Sequence, residues 1–300
     1  MQKILRFDFS ILAFIACCFT IACADETKEQ LLITCGQDKI LIIDAAASDG
    51  DNVKIVWQWD VTDPITNLPD EYRRALLAID ECKAVNNNSQ LLFTGGSASV
   101  LMDRETRQCL FYARTPNSHS ADLLPGNRIA VALSIAEKGN SLEVYDIGTP
   151  GRLLFRDSLY SGHGAVWNKQ RNKLYVLGFD RLREYALQDW DSSTPSLRMT
   201  AQWALPEDDG HDLSLVSPDR FLITTHSSVY FFDIDRGTFT PFEPLSGIPN
   251  VKSVNYNEST EHLTYTKAEE SWWTYHIYQS KPEKTIHIPY IRLYKVRVIQ

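Results

Sequence analysis

From residue 30 onward the chain alternates apolar and polar positions with a period of two, in runs of four to seven residues bounded by Gly, Asn, Asp or Pro. Such runs form strands with one buried face. Gln30–Thr34 (QLLIT), Leu91–Thr94 (LLFT), Lys173–Leu177 (KLYVL) and Phe221–Thr225 (FLITT) are examples. Helical spacing occurs once, in PDEYRRALLAI. A proline opens that run, which predicts one short helix over Pro69–Ile79.

The strands repeat. Runs closing on aspartate recur at Asp44, Asp103, Asp146 and Asp233, each followed by a turn and another strand. A further strand precedes each pair. The starts of these strands align on one basic residue each: Lys83, His119, His163, His211, Lys252 and Lys295, spaced by 36, 44, 48, 41 and 43 residues. A period of about 43 residues is that of a four-stranded propeller blade. The first unit has three strands, and one spare strand, IRLYKVRVI, ends the chain. The expectation is an all-β, six-bladed β-propeller whose first blade is completed by the C-terminal strand, which hides the sheet edges. One short helix would lie between blades one and two.

Composition adds limits. An apolar content of 44% is ample for one large core, and a formal charge of -8 excludes the basic surface that nucleic acid requires. Residues 1–24 read as a cleaved signal peptide: Lys3 and Arg6 precede a short apolar run, Ile11–Ala24. Their removal leaves a single propeller domain over residues 25–300, and export to the periplasm or cell surface as a monomer. Ala22-Cys23-Ala24 suits ordinary cleavage, while Ile21-Ala22-Cys23 suits a lipobox with Cys23 lipidated and anchored to the outer membrane. Both stay open. The three cysteines beyond, Cys35, Cys82 and Cys109, form no disulfide framework, although a Cys82–Cys109 bridge is conceivable.

In a propeller the innermost strands line a central channel, so the six aligned residues predict a ring. Like charges about 8 Å apart repel by roughly 2 kcal/mol at an effective dielectric near 20, so three lysines need carboxylates or an anion. Glu81, Asp122 and Asp212 are the internal partners available. The other outcome is a ligand site: lysines hold an anionic glycan or small acidic ligand, and His119, His163 and His211 bind hydroxyls or move protons. The same three histidines could instead face a divalent metal. No cofactor is required, and Arg73, Arg74 and Arg297 are further groups able to mask a carboxylate in lyase or hydrolase chemistry. Trp167, Trp272 and Trp273 could stack on sugar rings or pack between blades. His226 falls at a turn, and His262, His276 and His287 stand away from the ring. The competing class is a non-catalytic scaffold whose faces bind protein.

The ordered motifs CKAV, NSHSADLLPGNRIAVALS, GHGAVWNKQRNKLYVLG, GHDLSLV, WWT and YKVRV resemble a family of bacterial secreted six-bladed propellers of unknown function. The resemblance runs from Trp57 to the final strand. It implies the fold and supplies no activity. Propeller lyases that act on uronate oligosaccharides are similar at the level of fold only.

Overall fold

A computed structural model describes residues 30–299; residues 1–24, expected to be a signal peptide, and Cys23 among them lie outside the described residues. The strands assemble into six four-stranded antiparallel sheets. Blade one contains β1 (Leu31–Gly36), β2 (Lys39–Asp44) and β3 (Ile55–Asp60). Helix α1 (Asp70–Ala75) leads into blade two, β4 (Ile79–Val85), β5 (Gln90–Gly95), β6 (Ala98–Asp103) and β7 (Cys109–Arg114). Blade three is β8 (Ser118–Leu124), β9 (Arg128–Leu133), β10 (Ser141–Asp146) and β11 (Leu153–Ser158). Blade four is β12 (Gly164–Asn168), β13 (Lys173–Leu177), β14 (Arg181–Gln188) and β15 (Ser196–Ala204). Blade five is β16 (Asp212–Ser217), β17 (Arg220–Thr224), β18 (Val229–Asp233) and β19 (Thr238–Pro241). Blade six is β20 (Val251–Asn257), β21 (His262–Lys267), β22 (His276–Ser280) and β23 (Lys284–His287). The last strand, β24 (Lys295–Val298), pairs with β1 and becomes the innermost strand of blade one.

The inner strands depart from the period-two expectation: β1, β2, β5 and β9 are buried on both faces and apolar in consecutive positions, whereas alternation survives in outer strands such as β3. Each blade is apolar on both faces, and each gap between neighbouring blades holds its own core cluster. Cys35 and Cys82 lie in the cluster between blades one and two, and Cys109 packs on its edge. All three thiols are free. The recurrent aspartates close the turn after the third strand of a blade. Asp44 Oδ1 accepts from the Ala46 and Ala47 amides, Asp103 Oδ1 from Thr106, Asp146 Oδ1 from Gly148 and Asp233 Oδ1 from Arg236.

Helix α1 is shorter than the apolar spacing suggests. It ends at Ala75 with Leu76 as C-cap, and Ile79 already belongs to β4, its amide donating to the Gln37 carbonyl. The need to pair the innermost strand overrides local helical preference. Backbone runs close here: a Cβ on Gly36 would lie 1.8 Å from the Arg292 carbonyl oxygen, and one on Gly95 2.1 Å from that of Ala78. No helix among the described residues is long and apolar enough to cross a membrane.

Candidate functional site

The channel is lined by β24, β4, β8, β12, β16 and β20, the innermost strands of blades one to six. Pairing registers define its layers. Lys295, Glu81, Ser120, Gly164, Asp212 and Ser253 stand opposite Cys35, Thr94, Ala132, Leu177, Thr224 and Thr266 and form one layer. The residue before each forms the layer above, at the mouth: Tyr294, Asp80, His119, His163, His211 and Lys252. Asp80, His119 and Lys252 sit at the register shifts of their strands, extra residues that bulge and turn into the channel.

The expected six-residue ring is therefore corrected. His119, His163, His211 and Lys252 share the mouth. Lys295 lies one residue deeper and Lys83 three residues deeper, and Tyr294 and Asp80 take their places. Aligning the strands on basic residues hid this. Aligning them on the apolar position two residues after each mouth residue (Val296, Cys82, Ala121, Ala165, Leu213 and Val254) yields the true register, because those side chains pack between blades.

Below the mouth the channel is closed by charge. The Arg297 guanidinium grips Glu81 with Nε to Oε1 at 2.9 Å and an amino nitrogen to Oε2 at 2.7 Å. It reaches Asp212 at 2.8 and 2.5 Å. Lys295, fully buried, lies 3.1 Å from Asp212 and 3.5 Å from Glu81, and donates to the carbonyls of His119 and His163. Burial opposes ionisation of both carboxylates, yet Arg297 and then Lys295 hold them below the usual range. Two cations and two anions cancel, so Lys295 has no capacity left for a ligand. Asp122 instead binds the Leu123 and Trp167 amides, and Lys83 donates to the Ala165 carbonyl at 2.9 Å.

The mouth differs. Imidazole rings follow one another: His119 to His163 at 4.4 Å and His163 to His211 at 5.4 Å between centroids, with the Tyr294 ring 5.8 Å from His119. Burial depresses the pKa of all three histidines, that of His163 to about 4 and that of His211, with Lys252 adding to the effect, to about 2. They are neutral at pH 7. His163 Nδ1 faces the Ser161 carbonyl at 2.9 Å, while Nδ1 of His119 and of His211 are buried without a partner among the described residues. Lys252 donates to His211 Nε2 at 2.9 Å and is 5% exposed. Among the described residues no carboxylate comes within ion-pair distance of it; burial lowers its pKa to about 8, outweighing Asp209, 3.4 Å from His211 Nε2, which favours its charge. Burial raises Asp80 to about 7.

These values redistribute the chemistry. Imidazoles held this far below their ordinary range are poor proton acceptors near neutrality, whereas Asp80 and Lys252 change protonation close to it. The sequence missed Asp80 and Tyr294 for the reason given. Among the described residues, the three side chains whose metal-ligating atoms fall within 4.8 Å of one another are Asp209, His211 and His226 rather than the imidazole trio. His226 is exposed at its turn, and the Lys252 ammonium already occupies His211 Nε2 and would repel a cation, so this group is not read as a metal centre.

Cavities of several hundred Å³ lie away from the mouth. One of about 520 Å³ lies beside α1 and contains Arg73 and Arg74, neither of which reaches the channel. Another, of about 880 Å³, includes His262, Gln279 and Lys284 near the far ends of the innermost strands of blades five, six and one. Its polar groups are committed: Gln279 to Gln30 and Thr264, Lys281 to Glu261, Lys284 to the Ala45 carbonyl. His276 and His287 stack on each other beside Glu269 and Asp51. Trp167 packs between blades three and four, and Trp272 is 60% exposed near the mouth.

Fold and hub together define a six-bladed β-propeller with a charge-plugged channel and an imidazole–lysine mouth. The chain belongs to DUF6528, a family of unknown function, whose model matches residues 20–300. No curated protein matches it.

Proposed function

We propose that this protein binds a small acidic, polyhydroxylated ligand, an acidic carbohydrate fragment, at the channel mouth. One observation carries the reading: Lys252 is a buried ammonium that donates to a neutral imidazole and forms no ion pair among the described residues, with Asp209, 3.4 Å from the same His211 Nε2, offsetting only part of the cost of its burial. A buried charge without a partner is costly, and a ligand carboxylate would supply the missing pair. The unpartnered Nδ1 atoms of His119 and His211 add polar groups able to meet hydroxyls. Asp80, its pKa raised to about 7 by burial, can in its protonated form donate to a ligand oxygen without repelling its charge. Export, expected from residues 1–24, fits a glycan of the cell envelope.

Binding is favoured over catalysis because the imidazoles are too weakly basic for general-base work at neutral pH. A protein-binding scaffold is the second reading, favoured by exposed Leu77, Trp272 and Tyr290. Thermal-shift titration with glucuronate, galacturonate and glucose separates the two. Stabilisation by the uronates, lost in Lys252→Met, supports the ligand site. No shift with any sugar removes it and leaves the scaffold.

A further inference from the structure

Beside the mouth lies a cleft of about 190 Å³ that shares two of its residues, Asp80 and Tyr294, with the ring. Its other walls include Trp272, Trp273, Arg292 and Leu77. The loop between β21 and β22 supplies both tryptophans, and the segment leading into β24 supplies Arg292. Blade six also provides Lys252, and the circular order of the mouth makes Lys252 the neighbour of Tyr294. The cleft thus adjoins the site proposed above through Asp80 and Tyr294.

Its side chains are unspent. Trp272 is 60% exposed and makes no ring contact with another aromatic residue among the described ones. The Arg292 guanidinium stacks over Trp273 at 4.8 Å, which fixes its plane. Among the described residues that guanidinium makes no ion pair and no side-chain hydrogen bond; the backbone amide of Arg292, not its side chain, is bonded to Gln37. A flat indole presents the face on which a sugar ring packs, and a held guanidinium presents the fork that matches a carboxylate. The volume suits about one sugar ring.

We infer that the Trp272–Arg292 cleft is a second subsite, so that the ligand is an acidic disaccharide or longer chain with one uronate at Lys252 and the next ring on Trp272, its carboxylate on Arg292. This rests on the mouth reading. A single uronate meets the mouth alone, whereas a disaccharide spans both subsites and gains the second contact without a second loss of translational freedom.

Calorimetric titration with a monomeric uronate, its disaccharide and a neutral disaccharide tests the inference. The acidic disaccharide is expected to bind at least tenfold more tightly than the monomer. Trp272→Ala removes that advantage and leaves monomer affinity unchanged, and Arg292→Gln abolishes the preference for the acidic over the neutral disaccharide. Lys252→Met weakens monomer and disaccharide alike. Equal affinity for monomer and disaccharide, unaltered in the Trp272 and Arg292 variants, overturns the subsite while the mouth reading stands. Failure of both acidic sugars to bind overturns the mouth and the subsite with it.

Discussion

Two layers of one channel, a single residue apart along each strand, treat charge in opposite ways. In the deeper layer Lys295, joined by Arg297 from below, meets Glu81 and Asp212, and every charge has an opposite neighbour. At the mouth Lys252 is nearly as buried but donates to a neutral imidazole and forms no ion pair among the described residues, Asp209 acting on it without direct contact. The difference separates structure from recognition. A paired buried charge is expensive to break, whereas an unpaired one is expensive to keep and is retained where something else completes it.

That contrast can be broken at its strongest point first. Arg297→Met should destabilise the fold by about 3–5 kcal/mol, since Glu81 and Asp212 are left with Lys295 alone. Urea denaturation measures it, and a loss below about 1 kcal/mol would mean that the plug does not hold the blades together.

Lys252→Met should do the reverse and stabilise the protein at pH 7. The sign follows from proton linkage. The folded lysine has a pKa of about 8 against an ordinary 10.5. Between these values the unfolded chain retains a proton that the folded protein has released, so stability rises with pH, by up to about 3 kcal/mol from this group. The difference between wild type and Lys252→Met, measured from pH 7 to 10.5, isolates it. A constant difference across that range would show Lys252 to be ordinary in its titration.

The smallest effect belongs to Lys83. It donates to one carbonyl and lies below the mouth, so Lys83→Met should cost about 1 kcal/mol and leave the uronate thermal shift intact. Loss of ligand response in that variant would return Lys83 to the binding site and blur the two layers.

The fold was legible because its cause is local. Short apolar runs bounded by turn residues, aspartates that close the third turn of a blade, and one spare terminal strand are written in consecutive residues, although strict alternation holds in outer strands such as β3 and not in the inner ones. The candidate site was half legible. His119, His163, His211 and Lys252 do share a level, but Lys83 and Lys295 were assigned to it by residue type. A bulge of one residue shifts which side chain faces the channel, and basic character carries no information about that shift. Asp80 and Tyr294 gave no chemical signal of their own; apolar residues two positions on did.

The sequence by itself therefore determined a closed wheel of six blades and the presence of imidazole and ammonium groups at its hub, since strand periodicity and repeat length depend on near neighbours along the chain. Only the tertiary structure decided which cations are spent. Arg297, Glu81 and Asp212 come from three different blades, and whether a buried lysine finds a carboxylate depends on distances across the channel that no local pattern encodes.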